Sequence, residues 1–166
     1  GYHKRSLQVL LLKLKLMDAR ALPGGFLERH RDVDKEAIRI LKERTGLDKI
    51  FLQQFHLFGA VSRNSTDHVA SLLEKGVIDQ ALGSWFKQRF LTLGYYALVD
   101  FTEIRQMTPD PISEFCSFYT LNELPPLFLD HKEIIEKAHK TLKSALNYEP
   151  IGMNLLPAHF TMPELQ

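Results

Sequence analysis

Apolar and polar positions change rhythm several times along the chain, and each change marks an element. Leu7 to Leu16 alternates and is rich in leucine, which predicts a buried strand. Ala21 to Gly25 is short and closes on Pro23-Gly24-Gly25, a strand running into a turn. From Val33 to Arg44 apolar residues recur at helical spacing, with Asp32 placed as N-cap and Gly46 just past the end. Ala37, Ile38, Leu41 and Thr45 are the expected buried stripe. Lys49 to Phe58 alternates in part and predicts a strand, and Gly59 to Asn64 a loop. Asp67 to Gln88 looks like an insertion of one or two short helices, Val69 to Leu73 and Val77 to Phe86, broken at Gly76. Arg89 to Asp100 is the clearest strand. Thr102 to Phe115 is polar, holds Pro109 and Pro111, and predicts a loop before a short strand, Ser117 to Thr120, and a turn, Asn122 to Pro126. Asp130 to Tyr148 is a long amphipathic helix with Ile134, Ile135, Ala138, Leu142, Ala145 and Leu146 on its apolar side. Tyr2 to Ser6 predicts a hairpin turn, so an earlier strand is expected before it, and Pro150 to Gln166 predicts an irregular tail.

Periodicity alone therefore gives an α/β or α+β domain. The 166 residues suffice for one domain with a proper core, and 45% apolar and 25% charged residues are globular proportions. A formal charge of +1 argues against a large basic nucleic-acid surface within the chain. Cys116 is the single cysteine, so no internal disulfide is expected; it predicts a small buried hydrophobe and fits a reducing cytoplasm. No apolar run reaches membrane-spanning length and the opening residues do not form a signal peptide, so no membrane partner is expected.

Chemistry is carried by Pro23 to Leu47, PGGFLERHRDVDKEAIRILKERTGL. Its spacing resembles the Nudix box, G-x5-E-x7-R-E-U-x-E-E-x-G-U with U apolar. Gly25, Arg39, Leu41, Glu43, Gly46 and Leu47 fall on the pattern, whereas Arg31, Ile40 and Arg44 stand where the family has glutamates. Residues at i, i+3 and i+4 share one helix face, and three carboxylates there would suit magnesium, which activates water and neutralises a diphosphate. Here that face carries Ile40, Glu43 and Arg44, and its formal charge cancels. Ile40 cannot ligate a metal, Arg44 repels one, and Glu43 is placed to pair with Arg39 at i, i+4. The box implies an α/β Nudix sandwich, α/β/α with a mixed sheet.

The likeness extends beyond the box. Asn122-Glu123-Leu124-Pro125-Pro126-Leu127, Asp130-His131, Leu146-Asn147-Tyr148-Glu149-Pro150 and Phe160-Thr161-Met162-Pro163-Glu164-Leu165-Gln166 resemble bacterial transcriptional regulators with a Nudix domain followed by a winged helix-turn-helix. Those regulators sense ADP-ribose in nicotinamide metabolism, or a sugar in arabinose use. The resemblance implies an effector-sensing domain over residues 1–150 and a linker over 151–166 into a missing winged-helix domain. It implies a catalytically inactive, cytoplasmic homodimer that binds a nucleotide-sugar, sugar phosphate or sugar effector and meets DNA through the absent domain. No resident cofactor is expected. An active hydrolase of ADP-ribose or a related nucleoside diphosphate is the alternative; it would need magnesium, with Glu43 as metal candidate and Glu28, Glu36, Glu103 and Glu123 as further carboxylates. A dimerisation module without a ligand is a third.

The expected ligand site is the cleft between the glycine turn and the box helix. Gly25 lets a ligand approach the backbone. Phe26 either stacks on a base or sugar or packs in the core. Arg29, Arg31, Arg39, Arg44 and Arg63, with Arg89 leading into the next strand, are the candidate phosphate contacts, since a guanidinium binds phosphate in a bidentate fork. With two helix carboxylates replaced and arginines near, the cleft is expected to be neutral to positive. His131 predicts a helix-start or packing residue ahead of a catalytic base. Trp85 and Phe86 predict packing of the insertion on the sheet, a lid or a dimer contact.

Overall fold

The computed structural model describes residues 7–15, 17–63, 66–76, 78–99 and 107–148. The expected hairpin turn at Tyr2 to Ser6, the tail from Pro150, and Glu103 lie outside the described residues. Strand β1 (Gln8–Leu14) is the centre of a three-stranded sheet, between β2 (Arg20–Ala21) and β5 (Ser113–Thr120), and is antiparallel to both. Neighbouring side chains on a strand face opposite sides. Leu11 and Leu12 are nevertheless 0% and 2% exposed, so both faces of β1 are covered. A sheet buried on both sides is the layered α/β arrangement that the alternation of elements implies. Residues 126–128 run parallel to β2: Arg20 N–H donates to Pro126 O at 2.8 Å and Phe128 N–H donates to Arg20 O at 2.8 Å. The sheet is therefore mixed. Strands β3 (Gln53–Phe58) and β4 (Thr92–Tyr96) form a second, antiparallel pair with a register shift between Gln54 and His56.

Helix α1 (Val33–Thr45) follows the glycine turn, and α4 (His131–Tyr148) packs on β4, burying Ile134, Ile135 and Leu142. The insertion folds as a hairpin of α2 (Thr66–Glu74) and α3 (Gln80–Phe86), broken at Gly76 with φ 65°. The Asp79 carboxylate accepts from Leu82 N–H at 2.7 Å and so starts α3. Gly46 ends α1 in the left-handed conformation, its N–H donating to Lys42 O at 2.8 Å. At the other end of α1, Asp34 accepts from Tyr95 O–H of β4 at 2.5 Å.

Several boundaries and one face differ from the sequence expectations. Ile38 is exposed, and the fully buried residues of α1 are Glu36 and Thr45. Both are polar and both are satisfied: Arg39 pairs with Glu36, and Thr45 Oγ1 donates to Leu41 O at 2.7 Å and accepts from Leu47 N–H at 3.2 Å. Asp32 makes no side-chain cap; its carboxylate pairs with Lys35 at 2.7 Å while its carbonyl takes Glu36 N–H. β2 stops before Pro23, which has no N–H to give a ladder. β3 starts at Gln53, beyond the positive φ of Lys49. β5 starts at Ser113, so Phe115 is strand and not loop, because pairing with β1 continues to Leu14. The expected loop from Gly59 holds a short 3-10 turn, Val61–Arg63.

Candidate functional site

The glycine turn, α1 and the segment before β5 enclose a cleft of about 550 Å³. The turn supplies Gly25, Phe26 and Glu28; α1 supplies Arg39, Ile40, Glu43 and Arg44; the last segment supplies Asp110 and Pro111. Ile40 packs against the turn so closely that a Cβ on Gly25 would lie 2.9 Å from its Cδ1. Any side chain at that position would have to push Ile40 aside. Arg44 is a three-way tie. Its Nε donates to Gly24 O at 2.9 Å and its Nη1 pairs with Asp110. The segment that carries Asp110 is itself fastened to α1, where Thr108 N–H donates to Thr45 O at 2.9 Å.

The remaining charges form an alternating chain. Arg31 contacts Glu28 at 2.9 Å and Glu36 at 3.6 Å. Arg39 Nε donates to Glu36 Oε1 at 2.9 Å, and Arg39 Nη1 donates to Glu43 Oε1 at 2.6 Å. The hydrogen bond from Arg39 holds the Glu36 carboxyl below the usual carboxylate range against the opposing effect of burial. Glu36 and Glu43 in turn hold the Arg39 guanidinium further up. Three carboxylates, Glu28, Glu43 and Asp110, line the cleft against two guanidinium groups, Arg39 and Arg44. The expectation of a neutral to positive cleft is corrected: the arginines are matched by acids and the lining has one acid in excess. Asp110 Oδ1 and the Ser113 hydroxyl are buried without a hydrogen-bond partner.

The donor set does not fit a magnesium ion. Glu43 is committed to Arg39, Glu28 to Arg31, and Asp110 to Arg44. A cation would have to displace guanidinium groups from all three. No group of three His, Cys, Asp or Glu among the described residues has the spacing of a metal site.

An aromatic cluster borders the same cleft. Phe26, 57% exposed and therefore not a core residue, meets the Trp85 ring edge-on at 4.7 Å and the Phe90 ring at 5.9 Å. Trp85 also touches Phe90 at 4.8 Å and Phe86 at 5.1 Å. The α2–α3 insertion therefore reaches the glycine loop through Trp85.

The other expected contacts are elsewhere. The Arg63 and Asp130 side chains are each 10% exposed and paired, and Arg63 also donates to Phe58 O at 2.8 Å and Thr92 Oγ1 at 3.0 Å. Arg63 thus joins the 3-10 turn, β3, β4 and the start of α4, and does not line the cleft. Arg89 is exposed and donates to Gly59 O at 2.5 Å. Arg29 is exposed, and Arg31 lines a neighbouring depression of about 220 Å³ with His30, Asp32, Lys35 and Glu36. His131 Nδ1 accepts from Leu22 N–H at 2.9 Å, one residue before the Pro-Gly-Gly turn. Burial lowers the imidazole to about 4, with Asp130 opposing and Arg63 assisting. Sequence spacing brought out Gly25, Phe26, Arg39, Ile40, Glu43 and Arg44. It missed Asp110 and Pro111, which stand in a loop with no periodic signal, and it gave Glu28 no position. Among the described residues no helix is long and apolar enough to cross a membrane.

No protein-family model matches the chain. The ADPR-responsive transcriptional repressor NtrR of Acinetobacter baylyi is 28% identical over 167 residues, 96% of this chain and 58% of that protein. The chain thus spans less than two-thirds of that relative's length. An ADP-ribose pyrophosphatase of Methanocaldococcus jannaschii is 27% identical over 139 residues, 82% of this chain and 68% of that protein. Among solved structures, Shewanella oneidensis NrtR matches with a TM-score of 0.67 at 25% identity, covering 100% of this chain and 70% of that one. A MutT/nudix family protein from Enterococcus faecalis matches with a TM-score of 0.68 at 20% identity, covering 99% and 72%. The chain has the Nudix fold.

Proposed function

We propose that this chain is the effector-sensing part of a cytoplasmic, dimeric transcriptional regulator, and that it binds a nucleoside diphosphate sugar, ADP-ribose first among them, without hydrolysing it. The observation that carries the proposal is Arg44. It occupies the third position of the helix face that would hold magnesium, and it is fixed there by Gly24 O and Asp110. Hydrolysis of a diphosphate needs a Lewis acid and an activated water. A guanidinium supplies charge and hydrogen bonds but activates no water. With Ile40 beside it, the face can hold a diphosphate and cannot attack it. Because Arg39 and Arg44 are already paired, the ligand's phosphate oxygens exchange with Glu43 and Asp110 for their donors. Recognition is then short-range and bidentate. The likeness to an ADP-ribose-responsive repressor and to NrtR supports the regulatory role. DNA is met through a further domain, since a formal charge of +1 argues against a large basic nucleic-acid surface in this chain.

Calorimetry with ADP-ribose in excess chelator tests the proposal, together with a product assay in magnesium. Binding should persist in chelator and no AMP should form. Magnesium-dependent turnover that collapses in Glu43→Gln would instead establish the second function, an ADP-ribose pyrophosphatase. That function is favoured by the M. jannaschii relative. In the full-length parent protein, ADP-ribose should change operator affinity; a reading frame that ends near Gln166 with no further domain would refute the regulator.

A further inference from the structure

We infer that Phe26 and Trp85 form a nucleobase-stacking subsite at the mouth of the cleft, and that Trp85 of the insertion sets the preference for a base-bearing ligand. This rests on the proposed recognition of a nucleoside diphosphate and names the part of the ligand that the arginines cannot read.

An aromatic ring beside a tryptophan ordinarily buries most of its surface. Phe26 does not; it is 57% exposed and lines the cleft. Its contacts with Trp85 and Phe90 are edge-on and tilted, at interplanar angles of 70° and 47°. Neither neighbour is stacked flat on the Phe26 ring. An aromatic pair held edge-on fixes ring orientation before the ligand arrives, so little rotamer freedom is lost on binding. The same cleft is lined by Arg39 and Arg44. An aryl platform and guanidinium groups in one cleft of about 550 Å³ match a ligand with an aromatic base and an anionic linker.

The insertion is built to deliver Trp85. α3 is only seven residues, yet it is seated firmly. A Cβ on Gly83 would lie 2.8 Å from Leu73 Cδ2 of α2, so the two helices touch at closest approach. The Asp79 cap fixes the start of α3. Trp85 then meets Phe86, Phe90 and Phe26. Deleting this hairpin would leave Arg39 and Arg44 in place and remove Trp85, the nearer of the two rings that meet Phe26.

Trp85 is the sole tryptophan of the sequence, so intrinsic fluorescence reports on it directly. The protein is titrated with ADP-ribose, AMP and ribose 5-phosphate. ADP-ribose and AMP should quench Trp85 and ribose 5-phosphate should not. By calorimetry, Trp85→Leu should weaken ADP-ribose roughly tenfold or more, the scale of one lost base stack, with ribose 5-phosphate unchanged and Trp85→Phe close to wild type. A thermal melt of both variants checks folding, and Phe26→Ser gives an independent second variant. Equal weakening of both ligands, or no base-dependent quench, overturns the subsite. Dissociation of a dimer by Phe26→Ser without loss of base preference would show that a second copy covers the ring, and also overturns it. Base-dependent quenching in a full-length protein whose operator binding ignores ADP-ribose sinks the regulator and leaves the subsite standing.

Discussion

Two arginines of the same chain illustrate how surroundings decide what a guanidinium does. Arg44 is a quarter exposed and faces a cleft; Arg63 is enclosed with Asp130. Either loss strands an enclosed carboxylate, Asp110 at 11% exposure or Asp130 at 10%, but Arg63 is itself enclosed and also gives up its bonds to Phe58 O and Thr92 Oγ1. Arg44→Met should therefore lower unfolding free energy by about 1–3 kcal/mol and weaken ADP-ribose in chelator. Arg63→Met should lower it by about 3–5 kcal/mol and leave ADP-ribose affinity in the folded fraction unchanged. Urea titration and calorimetry on the same samples check both, and a selective loss of ligand in Arg63→Met would return that residue to the ligand site. Sequence reasoning reached the Arg39–Glu43 pair because i, i+4 spacing is local. It could not reach Arg44–Asp110 or Arg63–Asp130, whose partners are 66 and 67 residues apart and are brought together only by tertiary packing.

Helices were more legible than strands. α1 and α4 announce themselves by period and by Gly46, and both lie within a residue or so of the expected bounds at their described ends. β5 was missed at its start because its first residues read as a polar, proline-bearing loop, and their strand character comes from pairing with β1. On the buried face of α1 the sequence placed Thr45 correctly, but it included Ile38, which is exposed, and left out Glu36, whose burial only its Arg39 partner makes tolerable. Gly46 does more than end the helix. Its φ of 75° strains an L side chain, and an added Cβ would lie 3.0 Å from Thr108 N. The same Thr108 N–H holds the Asp110 segment to Thr45 O. Gly46→Ala should thus lower stability by about 1–2 kcal/mol and the midpoint of thermal unfolding by roughly 2–8 °C. It should also disturb the cleft, because Asp110 would lose its register with Arg44. Calorimetric melting that leaves the midpoint untouched would mean that the turn relaxes without the Thr108 contact.

At the scale of the whole molecule, the glycine turn is tied to α4 by one uncharged ring. Leu22 N–H donates to His131 Nδ1, which has a lone pair to offer only while that nitrogen is unprotonated. Enclosure beside Arg63 keeps the imidazole neutral, with a folded value of about 4 against an ordinary 6.5. The unfolded chain therefore binds a proton that the folded chain refuses, and stability must rise with pH between those values. The contribution is fully present above about pH 6.5 and is lost as pH falls through about 4, amounting to as much as about 3 kcal/mol across the window. Carboxylates paired in the fold, such as Glu36 with Arg39 and Asp48 with Lys42 at 2.8 Å, add acid lability only at lower pH, because their unfolded values are 4.5 and 3.8. The interval from pH 6.5 to 5 is accordingly where His131 should stand out. Asparagine offers a short acceptor at the same place and cannot charge. His131→Asn should keep much of the stability at pH 7.5 and flatten the decline between pH 6.5 and 5 when urea midpoints are compared at both ends. A variant that declines as steeply as the parent would place the acid sensitivity elsewhere and show that the Leu22–His131 joint does not hold the turn to α4.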